Sequence, residues 1–322
     1  RPLEPDLPNT KPWWHRDSHA DRRPFLVGRG SIRDASRAWF VTQGFTEVEC
    51  GALQISPGNE AHLHGFRTDW VGENGGSRPL YLHTSPEFAA KKLLAAGETR
   101  IFDYARVYRN GEAGPLHSSE FTMLEWYRVG WNHNQLMDET AELIRAAMHL
   151  VGKKTTVRDI SFRQLYQEKF GFDPLTANEG ELRGPLAVYG IDPTGLTRDD
   201  WLDLLMTHLI QPSIPANRIL MVYDYPASQC ALAKLRPDDV AVAERFEVYV
   251  GPSEVANGYH ELTDAKEQRE RFGLDLAKRQ KRALMQPPVD ERLLAALPKM
   301  PACAGVALGV DRLMMAMLGS DR

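Results

Sequence analysis

One segment of the chain combines a cation, an aromatic ring and a carboxylate at spacings that suit nucleotide chemistry. The string YARVYRNGEAGPLHSSEFTMLEWYR, residues 104–128, has the pattern of two strands joined by a Gly-rich loop. Arg109 ends the first strand and offers a planar fork of donors to a phosphate or a carboxylate. His117 lies in the loop, and Phe121 on the return strand offers a stacking face. Together they could enclose a polyphosphate and an adenine ring, although each residue alone is more often part of an ordinary hairpin.

The return strand also carries a carboxylate on an apolar face. The alternation of strand side chains places Glu125 between Met123 and Tyr127 on one side of the strand. A buried carboxylate is costly unless it meets a cation. Glu125 therefore predicts a positively charged partner or ligand on that face.

The elements around this hairpin mix strands and helices without the alternation of parallel βαβ units. Strands are expected at 45–50, 81–83, 100–109, 121–129, 218–223, 245–250, 254–259 and 304–308, and helices at 31–44, 86–96, 263–282 and 310–318. This order indicates an α+β fold, an antiparallel sheet flanked by helices. Neither GxGxxG after a strand nor GxxxxGK[ST] occurs, which disfavours Rossmann and P-loop folds.

Three regions follow from the patterning. Residues 1–24 are rich in Pro, Trp and charge without periodicity, and predict an extended N-terminal arm. Residues 25–322 are expected to form one domain. Within it, residues 133–211 have a helical pattern and predict an inserted helical layer.

Composition narrows the class of protein. Hydrophobic residues make up 43% and charged residues 25%, as in ordinary globular chains. The net charge of −4 argues against a protein that coats nucleic acid. No apolar run is long enough for a transmembrane helix, and three scattered cysteines without metal-site spacing favour a reducing cytoplasm.

Three strings in the chain resemble one enzyme family. Residues 104–128 closely resemble motif 2 of class II aminoacyl-tRNA synthetases of the lysyl branch. FEVYVGPSEVANGYHELTDAKEQ, residues 246–268, resembles the lysyl-branch strand pair, and GVALGVDRL, residues 305–313, resembles motif 3. They occur in the family's order, and the resemblance extends from about Ser31 to the C-terminus. It implies a class II synthetase-like catalytic domain.

The chain resembles one narrower family more closely than it resembles the tRNA synthetases as a whole. Lysyl-tRNA synthetases place an OB-fold anticodon-binding domain before this core, and only about two dozen residues precede the first core helix predicted here. The strings EFTMLEWYR, YPASQ, AERFEVY and ANGYHELTDA are similar to the elongation factor P lysyltransferases. That family activates (R)-β-lysine with ATP and transfers it to a lysine side chain of elongation factor P. The resemblance implies this activity, a homodimer and no anticodon-binding domain.

The resemblance also implies roles at the ATP end of the site. Arg109 is expected to hold the α-phosphate and the substrate carboxylate, His117 the outer phosphates and Phe121 the adenine face. Arg312 in motif 3 is expected to hold the γ-phosphate, and Arg109 and Arg312 are the implied catalytic residues. Glu247 and Glu254 flank a turn, share a face and are expected to bind Mg²⁺.

A second set of residues is implied for the amino acid. Glu87 and Glu125 are expected at the amine near the carboxylate, Glu261 and Tyr127 at the distal amine, and Asn257 beside Arg109 at the carboxylate. Ala307 stands where lysyl-tRNA synthetases have Gly. Its methyl group is expected to favour β-lysine over α-lysine, by roughly 10- to 200-fold for a methyl-sized difference.

Two alternatives remain open at this point. A truncated lysyl-tRNA synthetase would share the chemistry, although the net charge and the missing OB-fold weigh against it. A catalytically inactive paralogue could bind a metabolite or a protein as a regulator. The presence of Arg109, Glu247, Glu254 and Arg312 together favours an active enzyme.

Overall fold

Two compact units, residues 1–44 and 45–322, make up the chain. The computed structural model describes residues 11–61, 63–114 and 117–319. The described residues of the first unit contain one α-helix, α1 (Arg16–Thr42).

Helix α1 begins at Arg16, well before the start predicted at Ser31. The N-cap is His15, whose Nδ1 accepts a hydrogen bond from the amide of Asp17 at 3.3 Å. Ser31, expected as the cap, lies inside the helix and donates its hydroxyl to the carbonyl of Val27 at 3.2 Å. The extended arm predicted for residues 1–24 is therefore wrong over 16–24, while residues 1–10 lie outside the described chain.

The reason for that error is physical. Nearly every side chain before Gly28 in this helix is exposed, so no apolar periodicity marks it. Pro24 lies inside the helix, where it removes one backbone donor. Such a proline commonly ends or kinks a helix, and a Pro-rich stretch without periodicity favours an extended arm.

The second unit is built on eleven strands within the described residues. Their bounds are β1 (Thr46–Glu47), β2 (Leu53–Gln54), β3 (Phe66–Val71), β4 (Ser77–Leu82), β5 (Arg100–Tyr108), β6 (Glu120–Val129), β7 (Thr156–Ser161), β8 (Arg218–Pro226), β9 (Val242–Val250), β10 (Ser253–His260) and β11 (Cys303–Gly309). Eight form one sheet in the order β1-β5-β6-β11-β10-β9-β8-β7, and three form a smaller sheet in the order β2-β4-β3.

Helices cover the sheet. They are α2 (Glu87–Ala95), α3 (His133–Leu150), α4 (Phe162–Phe170), α5 (Glu179–Arg183), α6 (Arg198–Leu205), α7 (Ala265–Lys281), α8 (Glu291–Ala296) and α9 (Val310–Leu318). Among the described residues, no helix combines the length and the apolar character that crossing a bilayer requires.

The main sheet confirms the predicted α+β class. Its five inner pairings, from β5-β6 through β9-β8, are antiparallel. The two outer pairings, β1 with β5 and β7 with β8, are parallel. A mostly antiparallel sheet flanked by helices is the architecture that the strand and helix pattern predicted.

The region 133–211 is less uniformly helical than predicted. It contains α3 to α6, but β7 (Thr156–Ser161) interrupts them and pairs with β8 at the edge of the main sheet. The stretch is six residues long and mostly exposed, so its alternation was too weak to distinguish from a loop. Strand β3 was absent from the predicted strands because nearly all of its residues are exposed, so it has no clear alternation either.

Helix α3 fixes the central strand β6 from the far side of the sheet. The buried carboxylate of Glu139 accepts hydrogen bonds from Trp126 Nε1 at 3.0 Å and from Arg128 Nε at 2.8 Å. These even-numbered residues point toward α3, so the odd-numbered residues of β6 point to the opposite face. That opposite face carries the candidate site.

Candidate active site

A row of four side chains crosses the middle of the main sheet. Glu125 on β6 lies opposite Ala307 on β11. Ala307 in turn lies opposite Asn257 on β10, which lies opposite Glu247 on β9. Directly opposed residues point to the same face, so the four line one side of the sheet. The register thus brings together residues that the sequence assigned to one site.

A β-bulge keeps Glu254 on this face as well. The pairing of β9 with β10 shifts between Glu254 and Ala256. Without the bulge, Glu254 and Asn257 are three residues apart and would point to opposite faces. Glu254 instead lies opposite Tyr249, two residues along the strand from Glu247. The two carboxylates therefore share the face, as the sequence predicted, but through a bulge that the sequence did not reveal.

Arg109 lies against the ring of Phe121. Its Cζ lies 5.1 Å from the ring centre of Phe121, and its Nη1 lies 3.8 Å from a carboxylate oxygen of Glu112. The Nε of Arg109 is buried and makes no hydrogen bond within the described residues. Leaving a buried donor unpaired costs about 1–3 kcal/mol. An anionic ligand oxygen is the kind of partner that would remove this cost.

Arg312 joins the start of α9 to the loop that carries His117. Its Nη2 donates to Nε2 of His117 at 2.9 Å, and its Nη1 donates to the backbone carbonyl of Glu254 at 3.2 Å. The same Nη1 lies 3.7 Å from the Glu254 carboxylate. The three residues come from distant parts of the chain and meet at one end of the pocket.

Glu247 is surrounded by donors rather than left free. It forms an ion pair with Arg245, and it accepts hydrogen bonds from the hydroxyls of Tyr225, at 2.7 Å, and Tyr249. Arg245 also donates through Nε to the side-chain oxygen of Asn257 at 3.2 Å. Asn257 was expected beside Arg109, and its hydrogen bonds here run to Arg245 and to Tyr259.

Glu254 is the less neutralised member of the acidic pair. Burial and the neighbouring Glu247 raise the pKa of Glu254 to about 7, against the opposing effect of Arg312. A divalent cation would relieve the repulsion between the two carboxylates, and their oxygens are the ligands that Mg²⁺ prefers. The pair therefore fits a magnesium ion on the chemistry of its donors.

The other end of the pocket is built around Glu125. Its Oε2 accepts a hydrogen bond from Ser85 Oγ at 2.8 Å, and its Oε1 accepts one from the Tyr127 hydroxyl. Burial and the Glu87 carboxylate raise the pKa of Glu125 to about 8. Burial and Glu125 likewise raise the pKa of Tyr127, which keeps the phenol a donor.

A buried lysine of the protein lies between two of the predicted ligands. Nζ of Lys91 is 2.5 Å from Glu87 Oε1 and 2.7 Å from Glu261 Oε2. Burial raises the pKa of Glu261 to about 7 although Lys91 opposes the shift. When all are ionised, Glu87, Glu125 and Glu261 carry −3 and Lys91 carries +1. This acidic cluster therefore has a formal charge of −2.

Gly305 allows two of these side chains to approach the sheet. A methyl group there would lie 2.3 Å from a ring carbon of Tyr127 and 2.4 Å from a carboxylate oxygen of Glu261. Neither separation is possible without a shift of the side chains. Any larger residue would therefore move Tyr127 and Glu261 out of the acidic cluster.

Sequence reasoning missed Glu60, Ser85, Lys91 and Arg245. Burial and the Glu87 carboxylate raise the pKa of Glu60 to about 7, while Arg109 opposes the shift. The loop that carries Glu60 is held by Arg279, which donates to the Glu60 carbonyl at 3.0 Å. The string PGNE has no periodicity, so no sequence signal linked it to a pocket more than twenty residues away.

Comparison with known proteins gives one matching family and several similar proteins that share one name. A profile for tRNA synthetases class II (D, K and N) matches residues 13–322. A protein of Vibrio vulnificus is 44% identical over 288 residues, 88% of each chain, and one of Sodalis glossinidius is 41% identical over 302 residues, 92% of each chain. One of Salmonella arizonae is 42% identical over 304 residues, 93% of this chain and 92% of its own. All three carry the name elongation factor P--(R)-beta-lysine ligase.

Proposed function

Because the chain belongs to the class II tRNA synthetases (D, K and N), we propose that it activates a lysine-type amino acid with ATP. The substrate that we assign is (R)-β-lysine, and the acceptor is a lysine side chain of elongation factor P. The names of the relatives from Vibrio, Sodalis and Salmonella support this substrate and this acceptor.

The charge of the acidic cluster is the observation that supports this substrate class best. Of the three carboxylates, those of Glu87 and Glu261 contact the Lys91 ammonium group, and the pKa values of Glu125 and Glu261 are raised. A diamino acid brings two ammonium groups, which would balance the formal charge of −2. Amino acids with one amine would leave a buried carboxylate without a partner, which is costly.

The activation step follows from the two ends of the pocket. The substrate carboxylate attacks the α-phosphorus of ATP, the bond to the bridging oxygen breaks and pyrophosphate leaves. We assign the α-phosphate and the substrate carboxylate to Arg109, which stacks on Phe121. We assign the outer phosphates to Arg312 and His117, whose side chains are hydrogen-bonded to each other. No protein nucleophile is needed, since positioning and charge stabilisation account for catalysis at such sites.

Magnesium belongs to the same proposal. Glu254 and Glu247 would hold the ion, which supplies charge neutralisation to the phosphates when it is bound. Arg245 and the two tyrosines around Glu247 orient that carboxylate, and so act on the ion through it.

In the second step, the acceptor amine attacks the carbonyl carbon of the adenylate. An amide bond forms, AMP leaves and the acceptor nitrogen loses a proton. We assign the amine beside the substrate carboxylate to Glu87 and Glu125, and the distal amine to Glu261 and Tyr127. Asn257 is assigned to the substrate carboxylate together with Arg109.

Glu60 extends this assignment with a residue that the sequence did not indicate. Burial and the Glu87 carboxylate raise its pKa, and Arg109 lowers it. We assign Glu60 to the boundary between the amine and carboxylate ends of the substrate, outside the acidic cluster whose charge of −2 the two ammonium groups balance. A homodimer and a cytoplasmic location remain predictions of the same proposal.

Amino-acid-dependent ATP–pyrophosphate exchange tests the first step. We expect exchange with (R)-β-lysine and weaker exchange with α-lysine, and almost none with norleucine, which lacks the distal amine. Glu261→Gln should lower exchange, while Glu142→Gln, an exposed change on α3, should leave it unchanged. Equal exchange with norleucine and β-lysine would contradict the assignment of the acidic cluster.

A separate assay tests the acceptor. The enzyme, ATP and β-lysine are mixed with intact folded elongation factor P or with tRNA, and the products are analysed by mass spectrometry. We expect β-lysyl modification of the factor and negligible charging of the tRNA. Efficient charging of tRNA without modification of the factor would favour a tRNA synthetase instead.

A further inference from the structure

A second cluster of ligand-type side chains lies on the face of the sheet opposite the active site. His133 is the first residue of α3, Glu244 is on β9, and His260 ends β10. Because strand residues alternate, Glu244 points away from the face of Arg245 and Glu247 and toward the side on which α3 packs. One ligand atom from each of the three clustered side chains lies within 4.8 Å of the other two.

Buried polar atoms at this cluster lack partners. His133 is only 4% exposed, and its Nδ1 makes no hydrogen bond in the part of the chain that the structure describes. Asp224 on β8 is 9% exposed, and its Oδ1 likewise makes none there. The same Oδ1 lies 3.7 Å from Nε2 of His133. Buried polar atoms are paired in the great majority of cases, so unpaired atoms on two neighbouring side chains point to a missing ligand.

The surrounding charges suit a cation. Nδ1 of His260 contacts the Glu244 carboxylate, which places a negative charge beside the imidazole. A neutral imidazole has a lone pair to offer a metal ion. The other oxygen of Asp224 is held by Arg236 at 2.5 Å, which fixes the carboxylate and leaves Oδ1 facing His133.

We propose that His133, Glu244 and His260 bind one divalent transition-metal ion of the zinc type, with Asp224 as a fourth ligand. Two imidazole nitrogens with carboxylate oxygens form a ligand set that suits Zn²⁺, Co²⁺ or Ni²⁺ better than Mg²⁺. The site is separate from the active-site carboxylates on the other face. A bound ion would link the start of α3 to β8, β9 and β10. These strands also carry Glu247 and its hydrogen-bonding partners on the opposite face of the sheet.

The geometry requires only small movements. A tetrahedral zinc ion with bonds of about 2.0–2.1 Å separates its ligand atoms by about 3.4 Å. Separations of up to 4.8 Å reach this value by side-chain movements of roughly 1 Å or less per ligand atom. The atoms of His260 and Glu244 that are already in contact would move slightly apart to admit the ion. His133 lies at the first position of α3, after the capping box of Asn132 and Gln135, so its backbone is already fixed.

Metal binding by the full-length chain tests the proposal. The protein is freed of metal by dialysis against a chelator and titrated with Zn²⁺ by calorimetry, and with Co²⁺ for its visible spectrum. We expect one ion per chain and the intense absorption of tetrahedral cobalt, with Mg²⁺ in excess failing to displace it. Zn²⁺ should also raise the Tm of the wild type.

Variants distinguish metal binding at this site from metal binding elsewhere on the protein. His133→Ala and Glu244→Gln should each weaken Zn²⁺ binding at least tenfold. His149→Ala, an exposed histidine of the same helix, and Glu254→Gln in the active site should both leave it unchanged. Equal affinity of the wild type and Glu244→Gln for Zn²⁺ would overturn the proposal. A Co²⁺ spectrum typical of octahedral coordination, or loss of Zn²⁺ binding in Glu254→Gln, would also overturn it. Circular dichroism confirms folding, and Glu244→Gln decides the question if His133→Ala does not fold.

Discussion

Binding of the amino acid should release protons near neutral pH, and Glu125 is the main source. In the free protein, burial and Glu87 raise the pKa of Glu125 to about 8. A substrate ammonium group beside the carboxylate favours its ionised form and so lowers that pKa. A proton must therefore leave Glu125 when the amino acid binds.

The magnitude follows from the pKa. At pH 7 a carboxyl group with a pKa of about 8 is roughly nine-tenths protonated. Binding that drives its pKa well below 7 then releases about 0.9 proton from this residue. Because the free enzyme holds the extra proton, affinity rises with pH, by roughly fivefold between pH 7 and pH 8 from Glu125 alone. Glu261, with a pKa of about 7, adds to the release in the same direction.

Calorimetry in paired buffers measures the release directly. Titration of β-lysine at pH 7 in phosphate and in imidazole, whose ionisation enthalpies differ widely, gives the number of protons from the difference in observed enthalpy. Glu125→Gln should remove most of the release and retain measurable binding. Glu142→Gln, with an exposed side chain on α3, should keep it. Identical enthalpies in the two buffers, or unchanged release in Glu125→Gln, would refute the reasoning.

Three further changes probe the pocket. Gly305→Ala places a methyl group 2.4 Å from a Glu261 oxygen and should raise the KM for the amino acid at least tenfold. The control Gly273→Ala, whose added carbon meets no atom within 4 Å, should leave the KM unchanged. Equal KM values for the two variants would contradict the close approach at Gly305. Arg312→Ala should lower adenylate formation by roughly two orders of magnitude with folding intact, and near-normal pyrophosphate exchange would remove it from the phosphate site. Ala307→Gly should narrow the preference for β-lysine over α-lysine by roughly 10-fold or more, and an unchanged ratio of kcat/KM values would exclude Ala307 from specificity.

Local pattern was sufficient for the strands and helices that carry the motifs. The predicted strand at 100–109 is Arg100–Tyr108, that at 121–129 is Glu120–Val129, and the helix at 310–318 is Val310–Leu318. Alternation and turn residues are short-range signals, so one sequence contains them. The same alternation correctly placed Glu125 and Tyr127 on one face.

Helix α1 and strand β7 show where local pattern is insufficient. The first half of α1 is exposed on all sides, and β7 is a short edge strand that pairs only with β8 in the described chain. Neither has the one-sided burial that creates a periodic signal.

The contacts inside the candidate site join distant parts of the chain, so local sequence patterns did not predict them. Lys91 meets Glu261 across 170 residues, and Arg312 meets His117 across 195 residues. The bulge after Glu254 decides which side chains of β10 face the pocket. The sequence alone determined which residue types were available and on which strands they lie. Only the tertiary structure decided their pairing, because register, bulges and burial set the distances on which charge, pKa and binding depend.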